Sequence, residues 1–486
     1  MLVMKTKLAF LSLAASILFF SCKKNSSDSS NTPPTTGTEQ DKLMDSVYLY
    51  SQEVYFWNSV LPSYSQFNPR QYAGSDELTS ATNVMNAIRK LESLDRYSFV
   101  VTKEESDGIQ TGAGTDFGFL VKSYSVDQAE PVDSIYWFVN YVYSQSNAGL
   151  SGVTRGWRIN KVNGTQLNYD QASIDVLNNT FFGTATSATF EFMKPDSTTA
   201  TLTLNQTSYQ ANSVLYTQVF NAGSNKIGYL VFNQFFDAPS RAELATAFTQ
   251  FQSAGITDLV VDLRYNRGGS TETQDTLSDL IAPLAANNQK MYTYEFNQQL
   301  QQGNFPLLKK KPGFDNVSFS ETVNTVNYKK AGTLNLSRVF FIVSNSTASA
   351  SELTINNLRP YMDVKLIGDT TYGKPVGFFP IDIFDYDIYP ISFRTINSAG
   401  SADYYSGFAP DKLTPDGVNK NWGDPDEPCL AEALKYITTG SFRVMPGNGS
   451  NQLRKLAQDS MKPAQKEFES KKFLGMYKES KTFENL

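Results

Sequence analysis

Two short segments, Asn345–Glu352 (NSTASASE) and Thr371–Gly377 (TYGKPVG), put Ser349 and Lys374 25 positions apart in a chain that contains no histidine. A serine nucleophile here cannot use an imidazole base, and lysine is the known substitute. Its ordinary pKa is about 10.4, so it serves as a base only where burial lowers that value by several units. The neighbours Pro375, Val376, Phe378 and Phe379 are apolar, as such burial requires. A neutral amine could then take the Ser349 proton during attack on a carbonyl carbon. The tetrahedral intermediate needs two N–H donors. Ala350, next after the serine, can give one from a helix N-terminus. The second is expected from Gly268-Gly269 in DLRYNRGGS, where no side chain blocks the backbone.

These residues need elements to carry them. SRVFFIVSN predicts a strand over Val339–Ser344, followed by a helix from Ser349 to Tyr361 and a strand over Val364–Gly368. A strand, helix and returning strand of that length would bring Ser349 and Lys374 to one edge of a sheet. KIGYLVFNQF and TDLVVDLRYN read as further strands and RAELATAFTQFQSAG as a helix, so 211–440 reads as an α/β core. Upstream, 41–108 has helical periodicity, with Leu43, Val47, Tyr50, Val54, Trp57 and Leu61 at three- to four-residue steps before Pro62, and a second helix over Glu77–Leu94. Residues 109–210 read as short strands, with hairpins at Asn163-Gly164 and about Pro195-Asp196-Ser197.

The 486 residues suggest roughly three domains at about 150 residues each. With 40% hydrophobic residues and a net charge of −6, the chain can fill its cores and shows no basic stripe for nucleic acid. No HExxH can exist, and two distant cysteines make no zinc knuckle, so neither metal nor cofactor is expected. Lys5 and Lys7 precede an apolar run over Leu8–Phe20 that is too short for an ordinary membrane span and reads as a secretory signal within 1–22. The ending LFFSC resembles a bacterial lipoprotein cleavage box. By that resemblance Cys22 would be lipidated; a plain signal peptide is the alternative. Cys429 reads as a small packed side chain. Residues 23–40, rich in Ser, Thr, Asn and Pro, read as a flexible tether, and 441–486 as a solvated polar tail dispensable for the core.

DLRYNRGG, TASASE and GDTTYGKP, in that order, resemble the signature of the carboxy-terminal processing peptidases, or tail-specific proteases. The resemblance covers about Asp41–Gly440. It implies a crotonase-like α/β catalytic core and a serine endopeptidase with a Ser/Lys dyad, Ser349 as nucleophile and Lys374 as general base. Glu352 matches an acidic residue thought to assist in some members; a helix-surface carboxylate is the other reading. The β-rich segment resembles a PDZ domain, which implies that backbone N–H groups of Phe117, Gly118 and Phe119 receive the C-terminal tail of a protein or peptide substrate. The position after Gly156, usually Asp in such domains, is Trp157 here. Many relatives have a glutamine four residues after the lysine that orients the amine, where this chain has Phe378, and a histidine where it has Tyr97. Glu352 or backbone groups must then orient Lys374, or activity is reduced. Tyr97 reads as structural. A bacterial cell envelope location follows from the anchor, on the periplasmic face of the outer membrane or the cell exterior. A weak or inactive tail-binding lipoprotein on the same scaffold is the competing reading. An esterase of the GxSxG type is disfavoured by the missing elbow and histidine.

Overall fold

A computed structural model describes residues 33–125, 135–443 and 475–478. Its centre is a six-stranded sheet in the order Val214–Ala222, Asn225–Phe232, Asp258–Asp262, Arg338–Val343, Asp363–Gly368 and Lys412–Leu413. The first pair is antiparallel and all the later pairs are parallel. Parallel strands are buried on both faces, so their sequences are continuous apolar runs. Leu259 and Val261 enter one core with Val339, Phe341 and Val343, while Val260 enters another with Phe340 and Ile342. Successive side chains of a strand point to opposite faces, which divides the run in this way.

The larger core is covered by helices Ala238–Ala254, Thr271–Ile281 and Ala350–Leu358; helix Pro428–Thr439 covers the other face. Every residue of Ala350–Leu358 is buried, the property of a helix enclosed on all sides. Cys429, in the first turn of the Pro428–Thr439 helix, packs into that second core, and burial holds its thiol pKa well up.

The sheet register decides where the chemistry can lie. Asp262 pairs with Ile342 and Val343 with Gly368, so three strands end at one edge. The loops carrying Gly268, Ser349 and Lys374 all leave from that edge, where open α/β sheets present their ligand sites.

The N-terminal helices Glu39–Val54 and Glu77–Arg89 share the large core, and strand Phe99–Thr102 pairs antiparallel with Tyr386–Tyr389. The first helix ends at Val54, seven residues before the expected Leu61; Tyr55 leads into a turn and the short 3-10 helix Asn58–Val60, with the Tyr55 carbonyl held by Asn297 and the Phe56 N–H by the Ile391 carbonyl. The β-rich unit has its own core, built on strands Phe119–Ser125, Ile135–Val142, Arg158–Val162, Ser187–Met193 and Thr199–Asn205. Both expected hairpins form, with Asn163 and Gly164 at positive φ.

Cys22 and most of the 23–40 and 441–486 segments lie outside the described residues. The expectation of a solvated tail is corrected where the tail is described. Gly475–Tyr477 is a buried strand parallel to Gly268–Ser270. Met476 and Tyr477 are the reason, two large apolar side chains within a polar stretch, both fully enclosed.

Candidate active site

Ser349 stands between strand Arg338–Val343 and helix Ala350–Leu358, as N-cap, with φ 60° and ψ −111°. Few non-glycine residues adopt such a backbone, and where they do the surroundings must impose it. Here three loops are laced together. Ala348 N–H and Ser351 Oγ–H both donate to the Asn266 carbonyl, each at 3.1 Å. Thr347 Oγ donates to the Leu263 carbonyl at 2.8 Å, and Tyr372 N–H to the Thr347 carbonyl at 2.9 Å. Ser349 is fully buried, and its Oγ has no hydrogen-bond partner among the described residues.

Glu352 is the clasp. Its carboxylate accepts from Ser349 N–H at 2.9 Å, Lys374 N–H at 2.8 Å, Gly373 N–H at 2.7 Å and Thr371 Oγ at 2.5 Å. The reading of Glu352 as a surface carboxylate is therefore overturned, since it is wholly buried. Nor do its bonds reach the reacting atoms: it holds the backbones of Ser349 and Lys374 in one frame. Burial raises its pKa, and these donors hold it back down.

The Lys374 side chain is fully buried. Its Nζ lies 4.0 Å from the Phe378 ring centroid and 4.6 Å from that of Tyr97. Burial drives its pKa well below the ordinary lysine value, with Asp95 and Glu352 pulling the other way. Ring faces favour a cation by only about 0.5–2 kcal/mol, less than desolvation costs it. Phe378 thus lines the amine's pocket where a polar partner was sought. Tyr97 is part of the same wall, its hydroxyl giving a 3.2 Å bond to the Gly373 carbonyl. The sequence reading named Tyr97 as structural without placing it against the amine, and did not single out Asp95 or Asn266.

Of the expected oxyanion donors, Gly268 is corrected: its N–H is given to Asn266 Oδ1 at 3.0 Å. Gly268 instead permits close approach. Its φ is +106°, and a Cβ there would stand 3.0 Å from Ser349 Cβ. Gly269 and Ala350 remain beside the serine, on the adjoining strand and at the helix N-terminus. The Phe117–Phe119 loop is elsewhere, in the β-rich unit. Phe117 is buried in an aromatic cluster with Phe119, Phe181 and Phe190. Gly118 N–H already donates to the chain's own Asp116 carboxylate at 2.5 Å, which corrects its assignment as a ready ligand donor. Among the described residues no group of acidic, cysteine or histidine side chains could hold a metal.

Residues 226–395, which span all three loops, match the model of peptidase family S41. Across 311 residues it is 23% identical to the probable CtpA-like serine protease of Staphylococcus aureus, covering 62% of this chain and 53% of that one. Over 192 residues it is 26% identical to the carboxyl-terminal-processing protease of a Picosynechococcus species, covering 40% of this chain and 39% of that protein. The chain thus spans about half the length of the staphylococcal relative it matches. A crystal structure designated an S41 protease, from Bacteroides fragilis, shares the fold at TM-score 0.61 and 21% identity, covering 84% of this chain and 99% of that one.

Proposed function

We propose that this chain is a serine endopeptidase of peptidase family S41 working through a Ser349–Lys374 dyad. The observation that carries the proposal is the pairing of a strained, buried Ser349 with a fully buried Lys374 amine set between two aromatic rings, where burial lowers its pKa, on two loops clasped by one carboxylate. Lys374 takes the Ser349 proton as Oγ attacks a peptide carbonyl carbon. The oxyanion is met by the N–H groups of Gly269 and Ala350. Lys374 then gives the proton to the leaving amine, and water releases the acyl group by the same route in reverse. Glu352 positions both members and does not itself exchange a proton with substrate.

The finer reading completes this. The core is crotonase-like, the β-rich unit acts as a PDZ-like module for substrate C-termini, and Cys22 anchors the protein in the bacterial cell envelope, at the periplasmic face of the outer membrane. For the module to take a tail at Gly118, the Asp116 carboxylate has to yield its N–H to the incoming one. Incubating the purified chain with an unfolded protein tests the dyad. Wild type should cleave near the C-terminus, and Ser349→Ala should be inert; equal cleavage by both would remove Ser349 from the mechanism. A tail-binding protein without hydrolysis is the second reading, favoured by the Ser349 Oγ that lacks a hydrogen-bond partner among the described residues. Covalent labelling of Ser349 by a fluorophosphonate, dependent on Lys374, would dismiss it.

A further inference from the structure

The buried strand Gly475–Tyr477 lies in the cleft between the two halves of the site. On one side its register with the oxyanion strand is Gly268 to Gly475, Gly269 to Met476 and Ser270 to Tyr477, and Gly475 N–H donates to the Arg267 carbonyl at 3.1 Å. On the other side Phe378 N–H donates to the Met476 carbonyl at 3.1 Å, and Lys478 N–H to the Phe378 carbonyl at 2.9 Å. The segment is therefore an inserted strand, hydrogen-bonded along both edges like an extended peptide added to a sheet.

Its position relative to the dyad is specific. A Cβ on Gly268 would stand 2.3 Å from the Gly475 carbonyl oxygen and 3.0 Å from Ser349 Cβ. A Cβ on Gly475 would stand 2.6 Å from Lys374 Nζ and 2.6 Å from the Phe378 ring. Backbone of the chain's own tail thus sits against Gly268 and Lys374 at once, at a point where any side chain on Gly475 would crowd the Lys374 amine and the Phe378 ring. In a parallel register the Gly475 carbonyl is opposite the Gly269 N–H, the donor assigned above to the oxyanion.

The side chains are seated as well. Met476 Cγ would be 2.7 Å from a Cβ on Gly377. The Tyr477 hydroxyl reaches Asp237 Oδ1 at 2.6 Å and the Gln110 carbonyl at 3.2 Å. Lys478 Nζ lies 3.5 Å from Glu272 Oε1. Each position has its own partner, as a peptide in a selective groove would. From Arg443 the 31 intervening positions could span roughly 100 Å fully extended, ample for the tail to reach this cleft within one chain.

We propose that Gly475–Lys478 is an intramolecular ligand of the substrate groove: the chain's own tail fills the cleft beside Ser349 and must leave before a foreign polypeptide enters. The groove accordingly selects an extended segment with glycine against the lysine, then an apolar, a tyrosine and a basic residue. This rests on the dyad reading above only in calling the cleft a substrate groove.

The test uses full-length chains and a labelled peptide of the tail sequence FLGMYKES. In a Ser349→Ala background, peptide binding by fluorescence polarisation needs no catalysis. The chain with its natural tail should bind the peptide at least about 10-fold more weakly than two tail variants, Gly475→Leu and Met476→Asp/Tyr477→Asp, since a tail seated nine-tenths of the time lowers apparent affinity by that factor. Gly475→Leu alters only the tail strand, and matching circular dichroism confirms that the core remains folded. With Ser349 present, the same variants should label with a fluorophosphonate about 10-fold faster. Equal peptide binding by all three chains overturns the proposal. Differential binding with no labelling in any chain upholds it and removes the dyad instead.

Discussion

Lys374 and Arg264 are buried cations on loops from the same sheet edge, and they have opposite fates. Arg264, 2% exposed, is held by Asp262, Glu427 and Asp416 at 2.7–2.8 Å. Burial alone would depress its pKa, but the three carboxylates raise it well above the ordinary value. The network extends through Asp416 to Arg155 of the β-rich unit, also at 2.7 Å. Lys374 is as deeply buried, yet its amine faces two aromatic rings, and its pKa falls. Burial sets the cost of a charge; the partners decide whether the group keeps its charge or gives up its proton. One cation therefore secures structure, and the other is shifted toward giving up its proton, as the proposed base requires.

The contrast can be broken in order of effect. Lys374→Met should lower peptidase kcat/KM by about 10⁴-fold or more, equivalent to about 5.5 kcal/mol, while leaving the chain folded; a residual rate within 10-fold of wild type would mean another group is the base. Arg264→Met leaves the buried Asp262 and Glu427 without their cation, Asp416 keeping Arg155, and should cost about 3–5 kcal/mol in denaturant unfolding. A loss below 1 kcal/mol would show that solvent reaches them. Glu352→Gln keeps the shape but replaces an acceptor oxygen with a donor among four donors. It should cost about 1–3 kcal/mol and lower kcat more than KM rises, because the backbone frame of the dyad slackens. The smallest effect is on the pH dependence of stability. Between the depressed native pKa of Lys374 and its ordinary value near 10.5 the unfolded chain binds the extra proton, so this residue makes stability rise with pH through that window. Lys374→Met should remove that slope and melt higher than wild type at pH 7. An unchanged slope would mean that the native amine is charged.

Much of this was legible beforehand. Ser349 and Lys374 were marked by spacing and by the absence of histidine, and the strand before Ser349 and the helix and strand between the two residues form over Arg338–Gly368. Apolar runs and turn residues act within a few positions, so they can be read directly. The companions of Lys374 were not legible. Tyr97 comes from 277 positions upstream, and Phe378 was sought as a missing polar group when it is a wall. The Gly268 donor was misread because its N–H is spent on Asn266, a contact that spacing does not encode. The tail was judged by average composition, which hid Met476 and Tyr477.

By itself the sequence marked Ser349 and Lys374 as the candidate pair, the elements that carry them and, with no histidine in the chain, lysine as the candidate base, because residue type and local periodicity are properties of short segments. Tertiary structure alone decided the burial of that lysine between two aromatic rings, the role of Glu352 as a clasp and the seating of Gly475 in the cleft. Those depend on desolvation and on contacts between segments remote in the chain, which exist only once the sheet edge has gathered its loops.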